Sequence, residues 1–105
     1  MALSDCTAAY TDCYTHFERA GASTKGIRIL LNTAAEAQHL RFRLYQARKL
    51  ERVQTMRIYT RADPQYGKSI NDRFRITIQP TAEDDGKYWV YIEPWDQEFE
   101  DVEEL

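Results

Sequence analysis

The hydrophobic period of the chain changes near residue 53. Between Thr33 and Arg52 apolar side chains recur at helical spacing, whereas from Gln54 onward they alternate with polar ones. A period of about 3.6 is typical of a helix and a period of about 2 of a strand, because side chains return to one face at these intervals. The order of the two patterns predicts an α+β fold.

Two helices are predicted before the strands. Ser4 is a candidate N-cap for the first helix, which ends at Gly21 and buries Cys6, Tyr10, Cys13, Phe17 and Ala20. The second helix begins at a capping-box pattern of Thr33 and Glu36 and extends to about Arg52. Its apolar stripe comprises Ala37, Leu40, Leu44, Ala47 and Leu50.

Three strands are predicted to follow, at residues 54–61, 73–79 and 87–93. The turn residues Asp85 and Gly86 predict an antiparallel hairpin between the last two. Residues 26–31 allow two interpretations, a short strand or an extended lead-in to the second helix. The predicted architecture is two helices packed on one face of a three-stranded antiparallel sheet. Residues 1–94 form one domain in this prediction, and residues 95–105 an acidic tail.

Alternation divides the predicted sheet into two different faces. The apolar face, expected to pack on the helices, comprises Met56, Ile58, Phe74, Ile76, Ile78, Tyr88, Val90 and Ile92. The opposite face mixes cations with aromatic rings and comprises Arg57, Tyr59, Arg61, Arg73, Arg75, Thr77, Lys87, Trp89, Tyr91 and Glu93. Such a surface suits single-stranded nucleic acid, because rings stack on unpaired bases while cations contact phosphates. The alternative is that the tail or first helix covers Trp89 and Tyr91, with the arginines paired to tail acids.

Charge is segregated along the chain. Residues 25–75 contain twelve basic and four acidic residues, a net charge of +8, whereas residues 83–105 contain ten acidic residues and one Lys, a net charge of -9. Ten of the fourteen cations are Arg, whose planar fork suits phosphates and aromatic faces. On the second helix, a separate cationic strip that could contact phosphate comprises Arg41, Tyr45, Arg48 and Arg52.

The tail alternates acidic and hydrophobic residues. It resembles the acidic, hydrophobe-ended tails of single-stranded DNA-binding proteins, which implies competition with a polyanion for the basic face. It could also reach a second protein, mimic nucleic acid toward one, or be a plain solvated terminus.

Motifs for chemistry are mostly missing from the sequence. Gly67-Lys68-Ser69 ends like a phosphate-binding loop, but Ala62 stands where that loop requires glycine. Cys6 and Cys13 are about two helical turns apart, too far for a disulfide, and with His16 they do not match zinc spacing. We therefore predict no catalytic residue, no metal and no cofactor. The sequence has no apolar run that would cross a membrane and no signal-peptide pattern, so we expect a cytoplasmic protein.

Short segments of the chain resemble small uncharacterised proteins of tailed bacteriophages. The likeness is carried by residues 26–29, 40–45, Ala47-Arg48, the segment 63–69 (Asp-Pro-Gln-Tyr-Gly-Lys-Ser) and Asp72. The resemblance assigns no activity and no site residue. It implies a viral protein in the host cytoplasm, where small phage proteins commonly handle nucleic acid or bind a host enzyme.

Two function hypotheses follow from these patterns. The first is a non-catalytic nucleic-acid-binding protein that prefers single strands, DNA or RNA, and uses the basic-aromatic sheet face. The alternative is a protein-protein interaction module or inhibitor that binds a host or viral protein through the same Arg-aromatic patch or the acidic tail. Exposed strand edges also allow a homodimer.

Overall fold

The computed structural model describes residues 9–83 and 85–95. In these residues it contains helices α1 (Thr11–Gly21) and α2 (Ala34–Ile58), strands β1 (Ile27–Leu31), β2 (Phe74–Pro80) and β3 (Tyr88–Pro94), and a 3-10 helix at Ile70–Arg73. The predicted α+β class with a three-stranded antiparallel sheet is confirmed. The predictions for Ser4, Cys6 and the acidic tail beyond Trp95 fall outside the described residues.

The sheet has the order β1-β3-β2, with both neighbouring pairs antiparallel. The predicted hairpin between β2 and β3 is confirmed, with Pro80 opposite Tyr88. Its turn is closed by a bond from the Thr81 backbone N–H to the Lys87 carbonyl oxygen, 3.1 Å between N and O. Gly86 has a φ of 78°, a left-handed conformation that costs glycine little, so the Asp-Gly turn signal is met.

The strand predicted at residues 54–61 is wrong. The second helix does not end near Arg52 but continues to Ile58, and Tyr59 is its C-cap. Met56 and Ile58 are therefore not in the core, since they are 47% and 72% exposed. Of the two interpretations of residues 26–31, the strand is the one observed, and β1 is the third strand of the sheet in place of residues 54–61.

Gly26 permits β1 to lie close against β3. A Cβ atom at this position would collide with the backbone carbonyl oxygen of Ile92, and the φ of 86° is also one that other residues rarely adopt. From there Ile27 pairs with Ile92 and Leu31 with Tyr88, which places the apolar side chains of β1 next to those of β3. Glycine at position 26 thus allows the backbone conformation with which β1 begins.

The core is a single cluster of buried side chains from both helices and two strands. Its members are Cys13, Phe17, Ala20, Ala37, Leu44, Ala47, Phe74, Ile76, Val90 and Ile92. The rings of Phe17 and Phe74 are stacked with centroids 6.0 Å apart, which joins α1 to β2. Leu40 and Leu50, the remaining members of the predicted stripe of α2, are half-buried. Within the described residues, the predicted stripes are confirmed for Cys13, Phe17 and Ala20 of α1 and for Ala37, Leu40, Leu44 and Ala47 of α2. Tyr10 instead precedes α1 as its N-cap, so this helix begins at Thr11.

The N-terminus of α2 has the cap predicted for it, with one difference. The Thr33 side chain accepts a hydrogen bond from the Glu36 backbone N–H, 3.1 Å from N to Oγ1. The Glu36 carboxylate, however, accepts from the N–H of Asn32 at 3.0 Å, one residue before the N-cap. Both backbone donors at this helix start are still satisfied by side chains, which is the physical purpose of a capping box.

No helix in the part of the chain that the structure describes combines the length and apolar character needed to traverse a bilayer.

Candidate functional site

The face of the sheet opposite the core carries a mixed surface of cations and aromatic rings. Alternation along the three strands places eight side chains there, and we call this set the outer sheet surface: Arg28, Leu30, Arg75, Thr77, Gln79, Trp89, Tyr91 and Glu93. The strand phase predicted for β2 and β3 is correct, because the odd-numbered residues of both strands lie away from the buried residues Ile76, Val90 and Ile92. Trp89 and Tyr91 are half-buried, so both residues retain solvent-accessible surface.

Trp89 makes the closest cation-aromatic contact of the outer sheet surface. The guanidinium carbon of Arg28 lies 3.9 Å from the centroid of the Trp89 ring, within the range of a cation-π interaction. Arg28 pairs across the strands with Tyr91, and Leu30 pairs with Trp89. The Arg28 side chain therefore reaches diagonally from β1 to the ring of Trp89 on β3. The result is a planar cation and two aromatic side chains within one small area.

Arg75 lies at the other end of the outer sheet surface. Its Nε is 3.7 Å from the Glu93 carboxylate, and its guanidinium carbon is 6.0 Å from the centroid of the Trp95 ring. Both partners are about one-third exposed, so solvent screens the ion pair, and it contributes little to stability. Arg75 thus lies between Glu93 and Trp95.

A cavity of about 300 Å³ adjoins the Trp89 side of the outer sheet surface. Its lining combines Arg28, Leu30 and Trp89 with the hairpin residues Thr81, Ala82, Glu83, Asp85 and Lys87. Lys87 comes immediately before β3 and brings a second cation to the same edge of Trp89. Asp85 is fixed in the turn, since its carboxylate accepts hydrogen bonds from the Thr81 hydroxyl and the Lys87 N–H and these bonds lower its pKa.

The structure brings together only some of the residues predicted for the sheet face. Arg75, Lys87, Trp89 and Tyr91 lie on or beside the outer sheet surface, as the alternation predicted. Thr77 and Glu93 lie there as well. The remaining four do not lie in strands: Arg57 is in the last turn of α2, Tyr59 is its C-cap, Arg61 is in the following turn, and Arg73 ends the 3-10 helix. Their assignment to the face depended on the incorrect strand at 54–61 and on a strand start one residue too early.

Two residues of the predicted cationic strip on α2 hold the fold together. Arg48 donates to the carbonyl oxygen of Phe74 at 2.8 Å and lies 5.1 Å from the centroid of the Tyr45 ring. Arg52 donates to both carboxylate oxygens of Asp72, the closer at 2.5 Å. These contacts anchor the 3-10 helix and the start of β2 to α2. The strip stays a prediction for the half-buried Arg41 and for the ring of Tyr45, which is 41% exposed.

The same anchor contains a buried polar cluster. Ser69 donates through its hydroxyl to the Glu51 carboxylate at 2.5 Å, and the Asn71 side chain donates to the same oxygen at 2.8 Å. Ser69 also accepts from the Asn71 N–H and donates its own N–H to Asp72, which completes a capping box. The segment that resembled the end of a phosphate-binding loop therefore caps a 3-10 helix, with Ser69 only 7% exposed.

A larger cavity of about 540 Å³ lies between the end of α2 and the segment 59–70. Ile58 and Ile70 line it and are each 72% exposed. Among the residues described, no three side chains of the His, Cys, Asp and Glu types come together in a way that could hold a metal ion. The Cys13 thiol is buried, and burial raises its pKa to about 11, so it is a protonated core group and not a nucleophile at neutral pH.

Sequence reasoning missed Arg28 and Leu30 as residues of the surface. The signal for them is the loose alternation of residues 26–31, which is compatible with both a strand and an extended lead-in. Read as a strand, that alternation places Arg28 and Leu30 on the face opposite Ile27, Ile29 and Leu31. The register that sets them beside Trp89 and Tyr91 depends on long-range pairing, which the local pattern does not contain.

No protein-family model, curated protein sequence or solved structure matches the chain.

Proposed function

We propose that the protein is a non-catalytic nucleic-acid-binding protein that prefers single strands and binds them on the outer sheet surface. The observation that carries the proposal is the stack of the Arg28 guanidinium on the Trp89 ring, beside Tyr91, on a sheet face away from the core. Unpaired bases stack on aromatic rings and on guanidinium planes, and the same arginine can contact a neighbouring phosphate.

The architecture supports this use of the sheet. We infer that both helices cover the inner face, since α1 and α2 share one buried cluster with Phe74, Ile76, Val90 and Ile92. That arrangement leaves the half-buried side chains of Trp89 and Tyr91 on the face that a strand of nucleic acid would meet. A double helix keeps its bases stacked inside, so the rings favour a single strand.

The proposal predicts a modest salt dependence. Two cations, Arg28 and Lys87, line the cavity beside Trp89, whereas Arg75 is paired with Glu93. Each phosphate neutralised on a single strand contributes about -0.7 to the slope of log affinity against log salt concentration, so we expect a slope of about -1.4. Stacking on Trp89 and Tyr91 then supplies the part of the affinity that does not change with salt.

The test is a fluorescence titration of a labelled single-stranded oligonucleotide with the full chain at several salt concentrations. Trp89→Ala should weaken binding about tenfold, because one stacked base is worth about 1 to 3 kcal/mol. Phe42→Ala is the matched control, since Phe42 is an exposed aromatic residue of α2, 58% accessible, and lies outside the outer sheet surface. Equal losses in the two variants, or no binding by the wild type at low salt, would refute the proposal.

A protein-binding role is the second candidate, and one observation favours it. Ile58 and Ile70 expose apolar surface at the 540 Å³ cavity, which is the type of surface that partner proteins cover. This role predicts that Ile70→Asp removes partner capture and leaves oligonucleotide binding unchanged, whereas Trp89→Ala has the opposite pattern.

A further inference from the structure

The two edge strands of the sheet differ in how well they are protected. On β2, Arg48 occupies the carbonyl oxygen of Phe74 at 2.8 Å, and Pro80 has no N–H to offer. On β1, the five residues Ile27–Leu31 include no proline and no lysine. Proline, lysine and coverage by another element are the usual devices that prevent an edge strand from pairing with another chain. Among the described residues, the β1 edge, which carries only the charge of Arg28, is therefore the less protected of the two.

The backbone groups that face outward from β1 follow from the hydrogen bonds at the ends of the hairpin. Thr81 donates its N–H to Lys87, and Trp95 donates its N–H to Arg73. The odd-numbered residues of β3 are thus bonded toward β2, and alternation directs the even-numbered ones toward β1. Their partners there are Ile27, Ile29 and Leu31. The N–H and C=O groups of Arg28 and Leu30 consequently point away from the sheet.

We propose that a second copy of this chain pairs with β1 in antiparallel orientation, centred on Ile29. In this register Arg28 of one copy lies opposite Leu30 of the other, and the same two residues supply every backbone donor and acceptor on both sides. A strand that is complementary to itself in this way forms a two-fold symmetric dimer. Leu30, which is 46% exposed in the single chain, becomes covered by the second copy.

The two-fold axis is perpendicular to the sheet, so the outer sheet surfaces of both copies lie on the same side. Neighbouring strands are about 4.8 Å apart, so the two β3 strands are separated by about 14 Å. Arg28 and Leu30 of both copies fill the space between the two Trp89 rings. In the dimer, the two surfaces together bind twice the length of single strand, and this consequence rests on the proposed function. The pairing of the two β1 strands does not depend on that function.

The register is tested by charge at position 30, with sedimentation equilibrium of the full chain as the measurement. Leu30→Lys places a cation opposite Arg28 of the other copy, and we expect the dimer Kd to rise roughly five- to tenfold, since two such pairs form. Leu30→Glu places an anion there, so the Kd should fall. The double variant Arg28→Glu with Leu30→Lys exchanges the two charges and should restore the lower value.

A backbone variant separates pairing from side-chain effects. Leu30→Pro removes an N–H that already points away from the sheet, so the single chain should keep its fold by circular dichroism while the dimer is lost. A wild type that stays monomeric at millimolar concentration overturns the proposal, and so do Lys and Glu variants that shift the Kd in the same direction. If the wild type does not dimerise but binds the oligonucleotide, the dimer proposal is refuted and the proposed function is not. If it dimerises but does not bind the oligonucleotide, only the proposed function is refuted.

Discussion

Arg28 and Trp89 stack with the guanidinium carbon 3.9 Å from the ring centroid, although 60 residues separate them in the chain. The contact exists because β1 pairs with β3 and places Leu30, two residues after Arg28, directly opposite Trp89. It joins β1, for which the sequence allowed two interpretations, to an aromatic ring that the strand alternation placed on the outer face. The outer sheet surface is therefore built from β1, β3 and β2, in that order.

We expect this stack to stabilise the fold measurably. In a double-mutant cycle of Arg28→Met and Trp89→Leu, the coupling free energy of unfolding should be about 0.5 to 1 kcal/mol, because a partly exposed cation-π contact has that magnitude. Urea unfolding of the four proteins gives the value. A coupling indistinguishable from zero would show that the two side chains do not interact in solution.

The end of α2 provides a second prediction. Ile58 is 72% exposed, so Ile58→Lys should change the free energy of unfolding by less than about 0.5 kcal/mol. Ile76 in β2 is only 5% exposed. Ile76→Ala should lower the free energy of unfolding by about 2 to 5 kcal/mol, because the substitution removes buried methyl groups and leaves a cavity. Thermal or urea unfolding distinguishes the two. A large loss in Ile58→Lys would instead support the strand first expected at 54–61.

The sequence pattern predicted the buried residues better than it predicted where α2 ends. The stripe of Ala37, Leu44 and Ala47 repeats at helical spacing and is buried as expected. Residues 54–58 alternate in hydrophobicity, but Gln54, Met56 and Arg57 also favour helix, and extending an existing helix costs less than starting a strand. Short apolar alternation does not decide between these states, because the decisive contacts come from elsewhere in the chain.

Those contacts link α2 to a distant segment. Arg52 is bound to Asp72 and Glu51 to Ser69, which holds the last turns of α2 against the 3-10 helix. The sequence shows four polar residues there, and nothing local indicates that they are partners. The same reason explains the candidate site: the phase of β2 and β3 was predictable, whereas the neighbour of Trp89 on β1 was not. Tertiary contacts, and not local propensity, determine both the end of α2 and the position of β1 beside Trp89.

The pair of Arg52 and Asp72 predicts how stability depends on pH. Burial of the Asp72 carboxyl tends to raise its pKa, but hydrogen bonds from Arg52 and the Ser69 N–H outweigh burial and hold the pKa below its usual value of 3.8. A carboxyl with a lowered folded-state pKa stabilises the fold above its unfolded-state pKa, and this stability is lost as the pH falls through the folded value. The contribution is therefore complete at neutral pH and disappears in acid.

Asp72→Asn should accordingly lower the free energy of unfolding by about 1 kcal/mol at pH 7, since it removes an ion pair that is partly screened by solvent. The difference from the wild type should shrink as the pH falls below about 3.8, where the wild-type carboxyl also becomes neutral. Urea unfolding between pH 7 and acid provides the measurement. Asp63→Asn is the control, because Asp63 lies outside this cluster and its carboxylate accepts a hydrogen bond from the Gln65 N–H. A difference that is independent of pH would contradict the assignment.

Arg48 and Arg41 give the last prediction, because they were grouped in one phosphate-contacting strip although the structure gives them different environments. Arg48 donates to the backbone carbonyl oxygen of Phe74, so Arg48→Met leaves that acceptor without its charged donor and should cost about 1 to 3 kcal/mol of stability. Arg41→Met should change stability by less than about 0.5 kcal/mol. Unfolding by urea measures both, and the salt slope of oligonucleotide binding should be unchanged in Arg48→Met. If Arg48→Met instead lowered that slope and left stability intact, Arg48 would be a phosphate ligand and the anchor between α2 and β2 would lie elsewhere.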